Sequence, residues 1–173
     1  MKIINFRNDI LPLKDKLYRL ALRITLNPAE AEDVVQETMM KVWNKRESWA
    51  MIDSMEAFCL TICRNIALDK LKRADNNSQT LDTAHGHDPA DSSYSSNPEA
   101  LIMQQDRMMV VKEIINRLPE KQRTAMQLRD FEGRTYREIA QIMGISEDQV
   151  KINIFRARQT IKKEFIEKDN YGL

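Results

Sequence analysis

Cysteine, glycine and long apolar runs are all scarce in this chain, and each scarcity excludes something. Two cysteines, Cys59 and Cys63, are too few for a disulfide-stapled secreted scaffold, and a spacing of four suits a bridge within one helix poorly. Free thiols in a reducing cytosol are the expectation. No stretch reaches the roughly 18 consecutive apolar residues that span a bilayer, and the N-terminal MKIINFRNDILPLKDKL is broken by charge too often for a secretory signal. The chain therefore reads as cytoplasmic, with no direct membrane insertion. An excess of one charge is missing too: 27 Lys and Arg face 26 Asp and Glu, a formal net of +1. Taken alone, that near-neutral sum argues against a nucleic-acid partner.

What is present changes that reading. Residues 75–100 contain Asp75, Asp82, Asp88, Asp91 and Glu99 and no Lys or Arg, so this segment carries −5 and leaves +6 on the rest. Ser, Asn, Asp, Gly and Pro dominate it, and Leu81 is its only large aliphatic residue. Such a segment cannot bury enough surface to offset its ordering entropy, and it reads as a flexible acidic linker. The 173 residues thus divide into two small domains, 1–74 and 101–173, and the basic character lies in the domains.

Both domains read as helical, which makes the fold class all-α. Leu13, Leu17, Leu20 and Ile24 mark one helix face. Asn27-Pro28 supplies a cap and an N1 proline for a second helix through Trp43, with Glu30, Glu32 and Asp33 favouring its positive end. Residues 44–55 read as a loop with short helical turns, and a third helix runs from about Glu56 to Arg73. Beyond the linker, helices are expected over Met103–Arg117 and Glu120–Phe131, and two more are split by Gly144-Ile145-Ser146.

The sharpest local signal begins at Arg134. Ile139, Ala140 and Met143 give a buried face, Gly144 permits a tight turn through positive φ, and Ser146 caps the next helix, which is helix-turn-helix anatomy. At about 100° per residue, Val150, Ile154, Ala157 and Ile161 share one inward arc. Lys151, Arg158 and Lys162 gather on one flank, suited to a phosphate backbone. Ile152, Phe155, Arg156 and Gln159 point outward, and Gln149 and Asn153 lie on the other flank. Gln, Asn and Arg pair bidentately with base edges, and exposed Ile or Phe suits thymine methyl groups.

The N-terminal domain is less decisive on residue chemistry. Glu30, Glu32, Asp33 and Glu37 crowd residues 27–40 without a basic neighbour, the wrong sign for DNA and the right one for a basic protein surface. Composition alone favours a plain solvated face. Thr61, Asn65, Asp69 and Lys72 form one polar stripe on an otherwise apolar helix, with Arg64, Lys70 and Arg73 around it. A DNA-facing stripe and a solvated one look alike here.

The order NPAEAEDVVQETMMKVW, FCLTICRNIALDKLKR, linker, LPEKQRTAMQLRDFEGRTYREIAQIMGIS and VKINIFRAR resembles the extracytoplasmic-function group of sigma-70-family RNA polymerase sigma factors. The resemblance implies sigma domains 2 and 4, with core RNA polymerase and promoter DNA as partners and an anti-sigma factor as regulator. It implies that Asp33, Gln36 and Glu37 dock on the polymerase. It also implies that the 44–55 loop and the helix with Arg64, Asn65 and Asp69 open the minus-ten element and hold an extruded base, with Lys70 and Arg73 adding positive charge. Within that frame Arg46 suits a phosphate, while Trp49 suits either base stacking or a core anchor. The helix from Ser146 would read the minus-thirty-five element. No cofactor, metal or catalytic residue is implied. Phe58, Cys59, Cys63 and Ile152-Asn153 depart from the family's commoner residues, so no promoter sequence carries over.

Two rival readings remain. A stand-alone helix-turn-helix regulator would leave the acidic helix and the 56–73 helix without a task. A metal site from Cys59, Cys63, His85 and His87 would need an apolar helix face and unsupported linker histidines. If Ile152 and Phe155 make apolar contacts in an A·T-rich upstream element, Ile152→Ser with Phe155→Ala will change promoter selectivity in competitive template assays. Unchanged selectivity would refute those contacts.

Overall fold

The computed structural model describes residues 3–77 and 98–170, and every regular element among them is helical. After two short turns, Phe6–Ile10 and Leu11–Leu13, come α1 (Lys14–Thr25), α2 (Pro28–Asn44), a 3₁₀ turn at Arg46–Met51 and α3 (Met55–Asn77). The second half contains α4 (Pro98–Arg117), α5 (Glu120–Met126) running into a wide π turn at Gln127–Phe131, α6 (Tyr136–Met143) and α7 (Glu147–Asn170). The expected helices are thus present, with shifted ends. α3 continues past Arg73 to Asn77 and α4 starts at Pro98 rather than Met103, so both ends of the 75–100 segment are helical. Residues 78–97, including His85 and His87, lie outside the described residues.

The caps act as their chemistry predicts. Asn27 Oδ1 accepts from the Glu30 amide at 3.1 Å, satisfying one orphan donor of α2. Ser146 Oγ accepts from the Gln149 amide at 3.2 Å, and Gln149 Oε1 accepts in return from the Ser146 amide at 3.1 Å, a reciprocal capping box. Gly144 ends α6 at φ 66°, and α1 ends on a non-glycine residue, Leu26, at φ 59°.

α1, α2 and α3 pack pairwise into a three-helix bundle, while α4, α5 and α6 each pack on α7. The two units then meet: α1 lies against α5 and α3 against α6. One continuous core results, joining Leu17, Leu20, Leu60 and Ile66 to Leu128, Ile139, Ile142 and Ile154. Burying each such side chain contributes about 1.5–3 kcal/mol. A smaller cluster gathers Ile115, Leu118, Met126 and Ala157, with Ile161 partly buried against it. The inward arc of α7 is confirmed, since Val150, Ile154 and Ala157 are buried while Ile152 and Phe155 are exposed. Cys59 and Cys63 are free and buried. Burial pushes both thiols up to about 12, and the Cys63 thiol donates to the Leu17 carbonyl at 3.3 Å. Desolvation thus disfavours the thiolate that a metal ligand requires.

A Cβ at Gly144 would meet nothing within 4 Å, so substitution there costs backbone strain alone. Gly144→Ala is expected to destabilise the protein by about 1–2 kcal/mol in urea unfolding, the left-handed penalty of an L-residue. A loss near zero would show that the turn relaxes out of the left-handed region.

Candidate nucleic-acid and protein interfaces

The outward face of α7 presents one apolar centre between polar flanks. Ile152 is 47% and Phe155 61% exposed. Lys151, Arg156 and Lys162 are exposed around them. Two of the amides expected at base edges are occupied within the helix: Gln149 closes the capping box, and Asn153 Nδ2 donates to the Gln149 carbonyl at 2.8 Å. Lys151 Nζ lies 5.5 Å from the Tyr136 ring centroid, and Arg129 covers the same ring at 4.2 Å. Tyr136 therefore gathers two cations beside the helix-turn-helix.

Arg158 is exposed but not alone. Its Nε donates to Asp130 Oδ2 at 3.1 Å, and its Nη2 donates to Asp130 Oδ1. This hydrogen bonding raises the guanidinium's already high pKa. Asp130 lies 28 residues away on the π turn, beyond reach of any local pattern.

On the N-terminal bundle, Asp33, Gln36, Glu37 and Met40 follow offsets of 0, 3, 4 and 7, and all are exposed. The acidic face thus includes an apolar residue, since Met40 is 65% exposed. Lys70 borders this face, with Nζ 3.2 Å from Glu37 and 3.8 Å from Glu30. Asn65, Asp69 and Arg73 are exposed along α3, while Arg64 is partly buried with its Nε lacking a hydrogen-bond partner.

The two tryptophans are placed differently from the stacking role considered for Trp49. Trp49 is only 7% exposed, and its Nε1 donates to the Val42 carbonyl at 3.0 Å. It is a core anchor. Trp43, which the sequence reading treated only as the end of α2, is 46% exposed. Its ring meets Phe6 and Trp49 edge-on at 5.6 and 6.1 Å, and Arg46 lies over it at 4.8 Å. Arg46 also donates to the Trp43 carbonyl at 3.2 Å. The exposed indole and cation beside the 44–55 loop are therefore Trp43 and Arg46.

A three-helix bundle followed by a helix-turn-helix unit defines a class of promoter-recognition factor, and comparison with known families agrees. Residues 10–77 match the family described as Sigma-70 region 2, and residues 108–161 match Sigma-70, region 4. The chain is 31% identical over 163 residues to the RNA polymerase sigma-H factor of Pseudomonas aeruginosa, covering 90% of this chain and 84% of that relative. It is 29% identical to the ECF RNA polymerase sigma factor SigE of Mycolicibacterium smegmatis, across 86% of this chain and 56% of that protein. The sigma factor RpoE of Bartonella quintana, solved in complex with the anti-sigma factor NepR, superposes with a TM-score of 0.76 at 26% identity. That superposition covers 95% of this chain and 98% of the other.

The chain belongs to the extracytoplasmic-function group of sigma-70-family sigma factors, which direct promoter-specific transcription initiation. The region 2 match gives the N-terminal bundle the task that a stand-alone helix-turn-helix regulator would leave unassigned. No helix among the described residues is long and apolar enough to cross a membrane.

Asp130 neutralises a cation on the outward side of α7. Asp130→Asn is expected to tighten duplex binding and to steepen the dependence of log affinity on log salt by about one unit, as one more phosphate contact becomes available. An unchanged slope would show that Arg158 makes no phosphate contact.

Proposed function

We propose a division of labour between the two units. Asp33, Gln36 and Glu37 on α2 dock on a basic surface of core RNA polymerase, with Met40 as the apolar contact among them. The Trp43–Arg46 pair and the exposed stripe of α3, with Asn65, Asp69 and Arg73, act on the minus-ten element. Holding a base outside the stack removes an unpairing cost of a few kcal/mol from duplex opening, and an exposed indole with a polar neighbour suits that task. Asn65 both donates and accepts, so it suits the edge of an extruded base. α7 reads the minus-thirty-five element through Ile152, Phe155 and Arg156, while Lys151, Arg158 and Lys162 take phosphates.

The observation that carries this reading is the outward face of α7, where apolar Ile152 and Phe155 remain uncovered between cationic flanks on a correctly capped helix-turn-helix. The chain contributes recognition and strand opening, and the polymerase performs the bond chemistry. An anti-sigma factor is the regulator that fits, by likeness to the Bartonella relative.

Run-off transcription from a promoter library is expected to show initiation only when core polymerase and this chain are combined. Asp33→Lys with Glu37→Lys is expected to weaken polymerase binding at least tenfold while leaving duplex binding by the helix-turn-helix unchanged. Equal losses in both assays would contradict docking through α2. Asp33→Lys alone serves as a control, because Glu37 also pairs with Lys70.

A further inference from the structure

The exposed indole of Trp43 has three ring contacts of different kinds. Arg46 lies over it at 4.8 Å, and Trp49, itself fixed by donation to the Val42 carbonyl, meets it edge-on at 6.1 Å. Both of these neighbours come from the turn that follows α2. The third contact comes from far upstream, where the Phe6 ring stands at 83° to the indole with 5.6 Å between centroids. Arg46 is exposed, and an exposed cation over a ring is held weakly and screened by salt. It is also the group suited to a phosphate, so nucleic acid competes for it. The Phe6 contact is apolar, has no such competitor, and stays when Arg46 leaves the ring.

The turn that carries Phe6 is braced by its own side chains. Asn5 Oδ1 accepts from the amides of Arg7 and Asn8 at 2.9 and 3.2 Å, and the Asn5 amide donates to Asp9 Oδ2 at 2.8 Å. Asn5 and Asp9 thus close the turn reciprocally, and the Asp9 amide adds a backbone bond to the Asn5 carbonyl at 2.8 Å. One residue later Ile10 is fully buried in the core, against which Phe6 is partly buried. The first residues of a chain fray unless they are tied down, and these hydrogen bonds with the Ile10 anchor supply the tie. The match to Sigma-70 region 2 begins at residue 10, so the Phe6 turn precedes the matched residues.

A stacking surface binds better when it is ordered before its ligand arrives. Trp43 stands at the end of a helix with 46% of its surface free, and without a fixed neighbour such a ring samples several rotamers, most of them wrong for a base. We propose that the N-terminal turn belongs to the strand-opening apparatus: Phe6 is a positioning residue that holds the Trp43 indole in one orientation for an unpaired base. The inference rests on the minus-ten assignment of Trp43 made above and adds the residue that prepares it. Every base offers a π face, so a platform of this kind favours opening without choosing a sequence. Phe6 therefore acts on how readily the minus-ten element opens, and promoter choice stays with the groups that reach base edges.

The test uses the full chain with core polymerase on two templates: a duplex promoter taken from the run-off library, and the same sequence with a mismatched bubble across its minus-ten element. Phe6→Ala and Phe6→Leu are each expected to slow initiation on the duplex about fivefold, the loss expected of one edge-on aromatic pair, and to leave initiation on the bubble template unchanged at saturating chain. Phe6→Tyr, which keeps the ring, is expected to match wild type on both. Acrylamide quenching reads the contact separately: Trp49 is only 7% exposed, so quenching reports on Trp43, and it is expected to rise in Phe6→Leu but not in Phe6→Tyr. Equal duplex rates in wild type and Phe6→Leu overturn the positioning role. Equal losses on the two templates overturn it too, since they mark a residue needed for folding or polymerase docking. Unchanged quenching in Phe6→Leu overturns the contact itself. If Phe6→Ala loses helical circular dichroism, the comparison of Phe6→Leu with Phe6→Tyr decides. Trp43→Ala separates the two levels of the inference: a duplex rate equal to wild type overturns the minus-ten assignment of Trp43 and Phe6's part in opening with it, whereas a loss in Trp43→Ala with none in Phe6→Leu overturns the role of Phe6 alone.

Discussion

The arrangement of the molecule turns on one guanidinium. α1 ends at Leu26 in a left-handed conformation without glycine, which leaves the carbonyls of its last turn facing the second half of the chain. Arg123 fills that position and also donates to the Leu118 carbonyl of its own unit at 2.8 Å. Burial lowers its pKa, yet three carbonyl partners keep the charge solvated by protein dipoles. A charge buried in this way binds its acceptors by necessity, because leaving either side unpaired costs more than the contact yields. The Arg19–Glu132–Gln127–Arg23 chain extends the same logic outward, and the shared apolar core closes behind it.

Local anatomy was legible in the residues because its causes are local. Asn27 before Pro28, Gly144 before Ser146, and the four-residue spacing of Val150 and Ile154 each act within one or two helical turns, and the structure places them as expected. The tryptophans were not legible in the same way. Trp43 lies in the last turn of α2 and Trp49 on the turn just after it, and the ring that packs on Trp43 belongs to Phe6, a residue far off in sequence. Asp130 at Arg158, and Glu132 at Arg19, are likewise invisible to periodicity because their partners lie 28 and 113 residues away. The acidic segment divides the chain by composition but carries no information about whether the two units touch. That is decided by Arg123, which reads in sequence as one more surface cation near a helix start.

The near-neutral charge sum reflects how the surfaces are distributed. An acidic face suited to a basic protein would repel phosphates if it adjoined a DNA-reading face, since unlike partners need fields of opposite sign. Placing the cationic face on α7 and the acidic face on α2 separates these fields between two units. Within the N-terminal bundle such separation is impossible, because α2 packs directly on α3. There Lys70 stands on the boundary, its ammonium shared between Glu37 and Glu30 and its side chain only 17% exposed. A cation so held screens the polar stripe of α3 from the carboxylates of α2, and it allows the two faces to adjoin on one small bundle. The sum of +1 therefore records a cancellation that is spatially ordered, and long-range attraction to DNA stays weak while the local fields remain strong.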